Sequence, residues 1–195
     1  LVKGGAALEM IPQGHSLVLD KTGTLTDGRL RLVSTRLLSS VSAERLLQLG
    51  ASLEQASKHP MAEAIANAAA ARGLTLFVPA DVQESAGEGV TGKVDGHLVS
   101  IGSRDYVATR LDGVPWPAGD EGADGVRVVV AVDGLPAGEM HLADELRPGA
   151  AAMLHDIRAR GVGRIVLAPG DRRAVADATA KTLPVDLVLA DLRPE

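Results

Sequence analysis

A short apolar run, Ser16-Leu17-Val18-Leu19, ends at Asp20, and Gly23 follows in the next turn of chain. This pattern predicts a buried strand whose carboxyl end delivers Asp20 to a loop. No strand–helix–strand rhythm accompanies it locally. That rhythm returns only from Arg147, as a helix (Arg147 to Arg160), a strand (Arg164 to Ala168), a helix (Arg172 to Lys181) and a strand (Asp186 to Leu189). Such alternation implies a parallel, doubly wound sheet. A lone strand needs partners, and the economical solution places Ser16–Leu19 in that same sheet. Residues 1–28 and 140–195 then form one domain, with 29–139 inserted as a second.

The insert reads differently. After an expected turn at Asp27-Gly28, residues Arg29 to Leu38 alternate as a strand does. Ser42 to Ala56 has helical spacing, with Leu46, Leu47, Leu49 and Leu53 on its apolar face. Pro60 suits the first position of a second helix, running to about Ala71 and stopped by Gly73. Strands follow at Val78 to Ser85, Gly89 to Val94 and His97 to Ile101, with an Asp95-Gly96 hairpin between the last two. A short helix from Ser103 to Arg110 and a hairpin of Val126 to Val132 with Leu135 to Leu142 complete an antiparallel sheet flanked by helices.

Composition narrows the function classes. Apolar residues make up 46% of the 195, enough for a real core. The net charge is −5 with the basic residues scattered, so no basic face for a nucleic acid is expected. The absence of cysteine excludes disulfides and thiolate metal sites. The longest apolar stretches, Val128 to Val132 and the Ala-rich run after Ile65, fall well short of the roughly 20 residues of a membrane span. The chain as written is expected to be soluble, without direct membrane insertion, and a fragment if its function involves a membrane.

Asp20-Lys21-Thr22-Gly23-Thr24-Leu25-Thr26 carries the chemistry. A carboxylate at a strand tip can attack phosphorus and form an acyl phosphate. Gly23 lets successive N–H groups turn toward phosphate oxygens, and Lys21 adds positive charge. Asp20 and Thr22, with Thr24 nearby, offer oxygen ligands to Mg2+, which needs only one or two carboxylates besides phosphate and water. An Asp before a Thr-Gly turn is common in itself. The seven-residue string is not, and it resembles the phosphorylation signature of P-type cation-transporting ATPases. Soluble phosphatases of similar fold place a second Asp where Thr22 stands, as acid and base. Its absence implies a slowly hydrolysed aspartyl phosphate, suited to a pump.

Ser57-Lys58-His59-Pro60, with Glu54 upstream, resembles the Ser-Glu-His-Pro motif of the heavy-metal-transporting subfamily. His59 at the cap of a helix is disfavoured from protonation by the helix dipole, so a neutral ring can lie against a purine while Glu54 accepts from the adenine amino group. Gly87-Glu88-Gly89-Val90-Thr91-Gly92 matches a dinucleotide fingerprint by pattern, but a hairpin rather than a helix follows it. A tight inter-strand turn explains it equally well. The resemblance implies instead that Gly87, Gly89 and Gly92 let nucleotide approach the backbone, with Gly102-Ser103 in the same pocket. Asp144-Glu145-Leu146-Arg147-Pro148 resembles the family's Asp-x-x-Arg-Pro, and Pro169-Gly170-Asp171 stands where the family has Thr-Gly-Asp, without the threonine hydroxyl.

The resemblance implies a haloacid-dehalogenase-like parallel doubly wound phosphorylation domain, incomplete at its carboxyl end, with an inserted α+β nucleotide-binding domain. It implies ATP and Mg2+ as cofactors, nucleotide contacts from Glu54, His59, Gly87, Gly89, Gly92, Gly102, Ser103, Gly170 and Asp171, and a transition-metal cation as cargo. The parent would be a membrane protein with this part on the cytoplasmic side. Expected of the chain alone are nucleotide binding and little hydrolysis, because the resemblance puts further Mg2+ carboxylates beyond Glu195. Two alternatives remain at this stage: a soluble phosphohydrolase of the same superfamily, and a non-catalytic nucleotide-binding module.

Overall fold

A computed structural model of the chain describes residues 15–57, 59–118, 125–168 and 183–189. In chain order its strands are β1 (Ser16–Leu19), β2 (Thr26–Leu37), β3 (Ala80–Ser85), β4 (Gly89–Val94), β5 (His97–Gly102), β6 (Val126–Val132), β7 (Leu135–Leu146), β8 (Arg164–Leu167) and β9 (Leu187–Val188). The helices are α1 (Ala43–Glu54), α2 (Pro60–Ala71), α3 (Arg104–Ala108) and α4 (Ala150–Ala159). Backbone proximity divides the described residues into two units. One holds 15–28, 145–168 and 183–189; the other holds 29–118 and 125–144.

In the first unit, β1 and β8 pair in parallel, with Ser16 opposite Arg164 and Leu19 opposite Leu167. β9 continues the parallel sheet on the other side of β8, giving the order β1-β8-β9. The isolated strand of the sequence thus finds its partner well over a hundred residues away. Leu154 of α4 packs with Leu25, Ile165 and Leu167 in a fully buried cluster that covers this sheet. The expected helix at Arg172 to Lys181 lies outside the described residues.

The second unit is built on a six-stranded sheet in the order β2-β7-β6-β5-β4-β3. The pairs from β3 through β7 are antiparallel. Helix α1 starts where Ser42 accepts a hydrogen bond from the Arg45 N–H, and it buries Leu46, Leu47, Leu49 and Leu53. Each of these leucines contributes on the order of 2 kcal/mol by leaving water. Strand β6 shows why the sheet is covered on both faces. Val128 and Val130 join the α1–α2 cluster, while Val129 and Ala131 join Tyr106 and Val107 of α3 on the other side. The period-2 alternation of a strand sends these neighbours to opposite faces, so a continuous apolar run is required.

Several sequence expectations change. β1 is not a buried strand, since Ser16 and Val18 are exposed and Leu17 and Leu19 only half-buried. Asp27-Gly28 is not a turn, because β2 runs unbroken from Thr26 to Leu37. Its pairing with β7, itself extended to Leu146, overrides the local signal. Helix α4 begins at Ala150 rather than Arg147, since the Arg147 N–H is committed to the Leu25 carbonyl (2.7 Å) and Gly149 sits at φ +84°. β3 begins at Ala80 rather than Val78.

Gly102, at the end of β5, has φ +152°, and a Cβ there would stand 2.3 Å from the Glu88 carbonyl oxygen and 2.5 Å from the Gly89 Cα. Backbone cannot yield as a flexible side chain can. Gly102→Ala should therefore destabilise the inserted unit by about 2–3 kcal/mol, the combined cost of overpacking and a disfavoured φ. Urea unfolding checks this, with wild-type stability as the contrary result.

Candidate functional site

Two places bring predicted residues together, one in each unit. The first is the loop after β1. Leu19 ends the strand and its carbonyl accepts from the Ala168 N–H (2.8 Å), so Asp20 emerges at the carboxyl edge of the parallel sheet. In open α/β sheets that edge is where ligands bind. Asp20 is exposed, with extended dihedrals (φ −80°, ψ 150°). Thr22 (φ −72°, ψ 124°) and Gly23 (φ 76°, ψ −9°) then have the dihedrals of a type II turn, whose second position favours glycine.

Thr26 closes this loop from inside the protein. It is fully buried, and its hydroxyl accepts from the Gly23 N–H (3.1 Å) while donating to the Lys21 carbonyl (3.2 Å). Its own N–H also donates to the Lys21 carbonyl. Arg147 secures the other side: its N–H donates to the Leu25 carbonyl (2.7 Å), its Nε to the Thr26 carbonyl (2.9 Å) and its Nη2 to the Gly23 carbonyl (3.5 Å). Thr22, Gly23 and Thr24 stay exposed beside Asp20, whereas Lys21 is buried. Thr26 and Arg147 were not singled out as site residues by sequence. The Asp-x-x-Arg-Pro string was the available signal for Arg147.

The second place is a cleft of about 340 Å³, counting its open mouth, within the inserted unit. Glu54, His59, Gly87, Gly89 and Gly102 all line it, with Ser57, Glu84 and Glu88 beside them. Gly92 and Ser103 are not in its lining. Gly92 makes room for Leu53 and the β3 backbone, and Ser103 caps α3 by accepting from the Tyr106 N–H (3.2 Å). Gly170 and Asp171 lie outside the described residues.

His59 caps α2, its Nδ1 accepting from the Met61 N–H (3.3 Å). A ring nitrogen that accepts carries no proton, so this contact selects the Nε2–H tautomer. Glu54, at the end of α1, is buried, and its carboxyl is pushed up to about 7, first by burial and then by the nearby charge of Glu84. Glu84 accepts from the Ser57 hydroxyl (2.9 Å), and Glu88 from the Ser85 hydroxyl (2.6 Å). Among the described lining residues there are three carboxylates, one imidazole and no lysine or arginine. Such a cleft suits a neutral ring bearing hydrogen-bond donors and is poorly suited to a polyphosphate.

At the first place the exposed Asp20 and Thr22 offer oxygen donors for a divalent cation. No group of three or more His, Asp or Glu side chains suited to a metal occurs among the described residues. The donor chemistry at Asp20 and Thr22 is that of a magnesium ion completed by substrate phosphate and water, which needs no such cluster.

Residues 16–193 match the haloacid dehalogenase-like hydrolase family. The whole chain is similar to a copper-transporting P-type ATPase of Rhizobium leguminosarum, with 37% identity over 201 residues, covering 24% of that protein. It is equally similar, at 37% over 211 residues, to cation-transporting P-type ATPase B of Mycobacterium bovis, covering 26% of it. A crystal structure of a zinc-transporting PIB-type ATPase in its E2.Pi state superposes over 98% of this chain and 31% of its own, with TM-score 0.81 and 31% identity. The chain thus spans about a quarter of the length of the curated relatives it matches.

The raised Glu54 carboxyl has a consequence for stability. Between pH 4.5, its ordinary value, and about 7, the folded state holds a proton that the unfolded state has released. This group's contribution to unfolding free energy therefore falls as pH rises through that window and levels off above it. Glu54→Gln should remove that slope and leave the inserted unit more stable than wild type at pH 8. Denaturant unfolding at pH 5 and pH 8 measures it, and an unchanged slope in the variant would contradict the burial argument.

Proposed function

The chain belongs to the haloacid dehalogenase-like hydrolases, within the nucleotide-binding and phosphorylation region of the heavy-metal-transporting P-type ATPases, and on that premise we propose that it binds ATP in the cleft of the inserted unit and accepts the γ-phosphoryl group on Asp20. In the longer protein, a membrane protein with this part on the cytoplasmic side, the acyl phosphate drives a transition-metal cation across the bilayer. No helix among the described residues is long and apolar enough to cross a membrane.

One observation carries this reading: an exposed Asp20 at the carboxyl edge of a parallel sheet, beside a turn held from within by Thr26 and Arg147. A carboxylate so placed is accessible to a nucleophilic displacement, and the fixed loop avoids reorganising at the moment of reaction. An Asp20 oxygen forms a bond to the γ-phosphorus as the bond to the bridging oxygen breaks and ADP leaves. Magnesium, when bound through Asp20 and Thr22, neutralises charge on the phosphate oxygens. Thr22 offers no carboxylate base for water, so the acyl phosphate persists long enough to drive a conformational cycle. The same threonine argues against the soluble phosphohydrolase reading.

In the cleft, the charge pattern supports binding of the base end of ATP. The adenine amino group donates to Glu54, the His59 ring lies against the purine, and the turn carrying Gly87 and Gly89 comes close because no side chain intervenes. The phosphates extend away from the carboxylates.

These assignments separate binding from chemistry. Asp20→Asn should abolish acid-stable, hydroxylamine-sensitive labelling from ATP in the longer protein while leaving ATP affinity unchanged. His59→Ala should weaken ATP binding about tenfold, a typical loss when a stacked ring is removed, while loss of the cap lowers stability by about 1 kcal/mol. Calorimetry and acid-quench labelling test both. Labelling that survives Asp20→Asn, or unaltered affinity in His59→Ala, would contradict the reading.

A further inference from the structure

Glu84 is an exposed residue of β3, in no motif, yet it lines the cleft. Its Oε1 accepts from the Ser57 hydroxyl at 2.9 Å. The Ser57 oxygen in turn accepts from the His59 N–H at 3.2 Å, and the Ser57 N–H donates to the Glu54 carbonyl at 3.0 Å. The His59 N–H precedes the first turn of α2 and needs a partner from outside the helix, which Ser57 provides. Ser57 is thereby fixed at three points, and among the described residues it is Glu84 that anchors it to the sheet. The groups facing Glu54 around the cleft are Glu84 on β3, Glu88 on the β3–β4 turn and His59 at the start of α2, with no cation among the described lining residues.

We propose that Glu84 is a positioning residue of the nucleotide site: through Ser57 it holds the segment that presents His59 to the cleft, and it stands as the second carboxylate beside Glu54. The proposal rests on the reading of this cleft as the ATP site. Two effects follow from the one side chain. Without its acceptor, the Ser57 hydroxyl is free to rotate, Ser57 loses its tie to the sheet, and ATP must fix the Ser57–His59 contact on binding. Without its charge, Glu54 ionises more easily. Only an ionised Glu54 is a strong acceptor for the adenine amino group, so ATP affinity in the wild type falls as pH drops through about 7. Removing the charge at residue 84 moves that midpoint to lower pH.

The 195-residue chain itself serves for the test, with ATP as the probe, in the wild type, Glu84→Gln and Glu84→Ala. Calorimetric affinities between pH 5.5 and 8.5 are compared, and the titration of ATP's own phosphates is common to all three proteins. Glu84→Ala should lose on the order of threefold to tenfold in affinity at pH 8.5, the worth of one such hydrogen bond. Glu84→Gln keeps an acceptor for Ser57 and should recover most of that loss. Both variants should show a lower pH midpoint than wild type. In the absence of ATP, the His59 ring resonances should shift in Glu84→Ala and stay near wild type in Glu84→Gln. A wild type that binds ATP, with variants matching it in affinity, midpoint and His59 resonances, overturns the proposal. A wild type that fails to bind ATP overturns the reading of the cleft, and the proposal with it.

Discussion

The hydroxyl of Thr26 holds Gly23 and Lys21 together from a position with no access to water, and the geometry around Asp20 follows from it. A buried hydroxyl must be satisfied, and here both its donor and its acceptor roles are used within one loop. The turn at Thr22-Gly23 is therefore dictated by the core beneath it rather than by solvent. Arg147 adds a second constraint from the return of the chain, taking the Thr26 carbonyl at 2.9 Å and the Gly23 carbonyl at 3.5 Å. Phosphoryl transfer demands position more than covalent ingenuity. A loop fixed at both flanks is a direct structural answer to that demand.

The cleft of the inserted unit solves a different problem. It gathers Glu54, Glu84 and Glu88 with no lysine or arginine among its described lining residues to offset them. Burial, with the nearby Glu84 charge adding to it, pushes the Glu54 carboxyl up to about 7. This arrangement would repel a phosphate, so on the proposed reading it takes the base end of a nucleotide. Under the proposed function, base recognition and phosphoryl transfer fall to separate units, and those units have separate cores.

Local signals carried much of this. The strand tip at Asp20, the helix opened by Pro60 and capped by His59, the hairpin at Asp95-Gly96 and the two alternating rhythms all rest on near neighbours in sequence, where propensity and periodicity act. What escaped depends on distant partners. Asp27-Gly28 carries a strong turn signature, yet the β2–β7 pairing keeps the strand going. Arg147 looks like the start of a helix until its N–H and guanidinium are seen on carbonyls of the Asp20 loop, more than a hundred residues away. Gly92 and Gly89 share one glycine-rich string, but alternation along β4 sends one toward Leu53 and leaves the other at the cleft. Glu84 has no local signature at all, because its partner Ser57 lies across a helix and a loop.

The central claim is that Asp20 receives the phosphoryl group. The most direct measurement phosphorylates the longer protein with ATP, quenches it in acid and reduces the product with borohydride, which converts an aspartyl phosphate to homoserine. Peptide mass spectrometry then locates the reduced residue. The account predicts homoserine at position 20, in the peptide that runs from β1 into the Thr22-Gly23 turn. Homoserine at any other aspartate, or phosphate found on a serine or threonine with Asp20 unmodified, would contradict it.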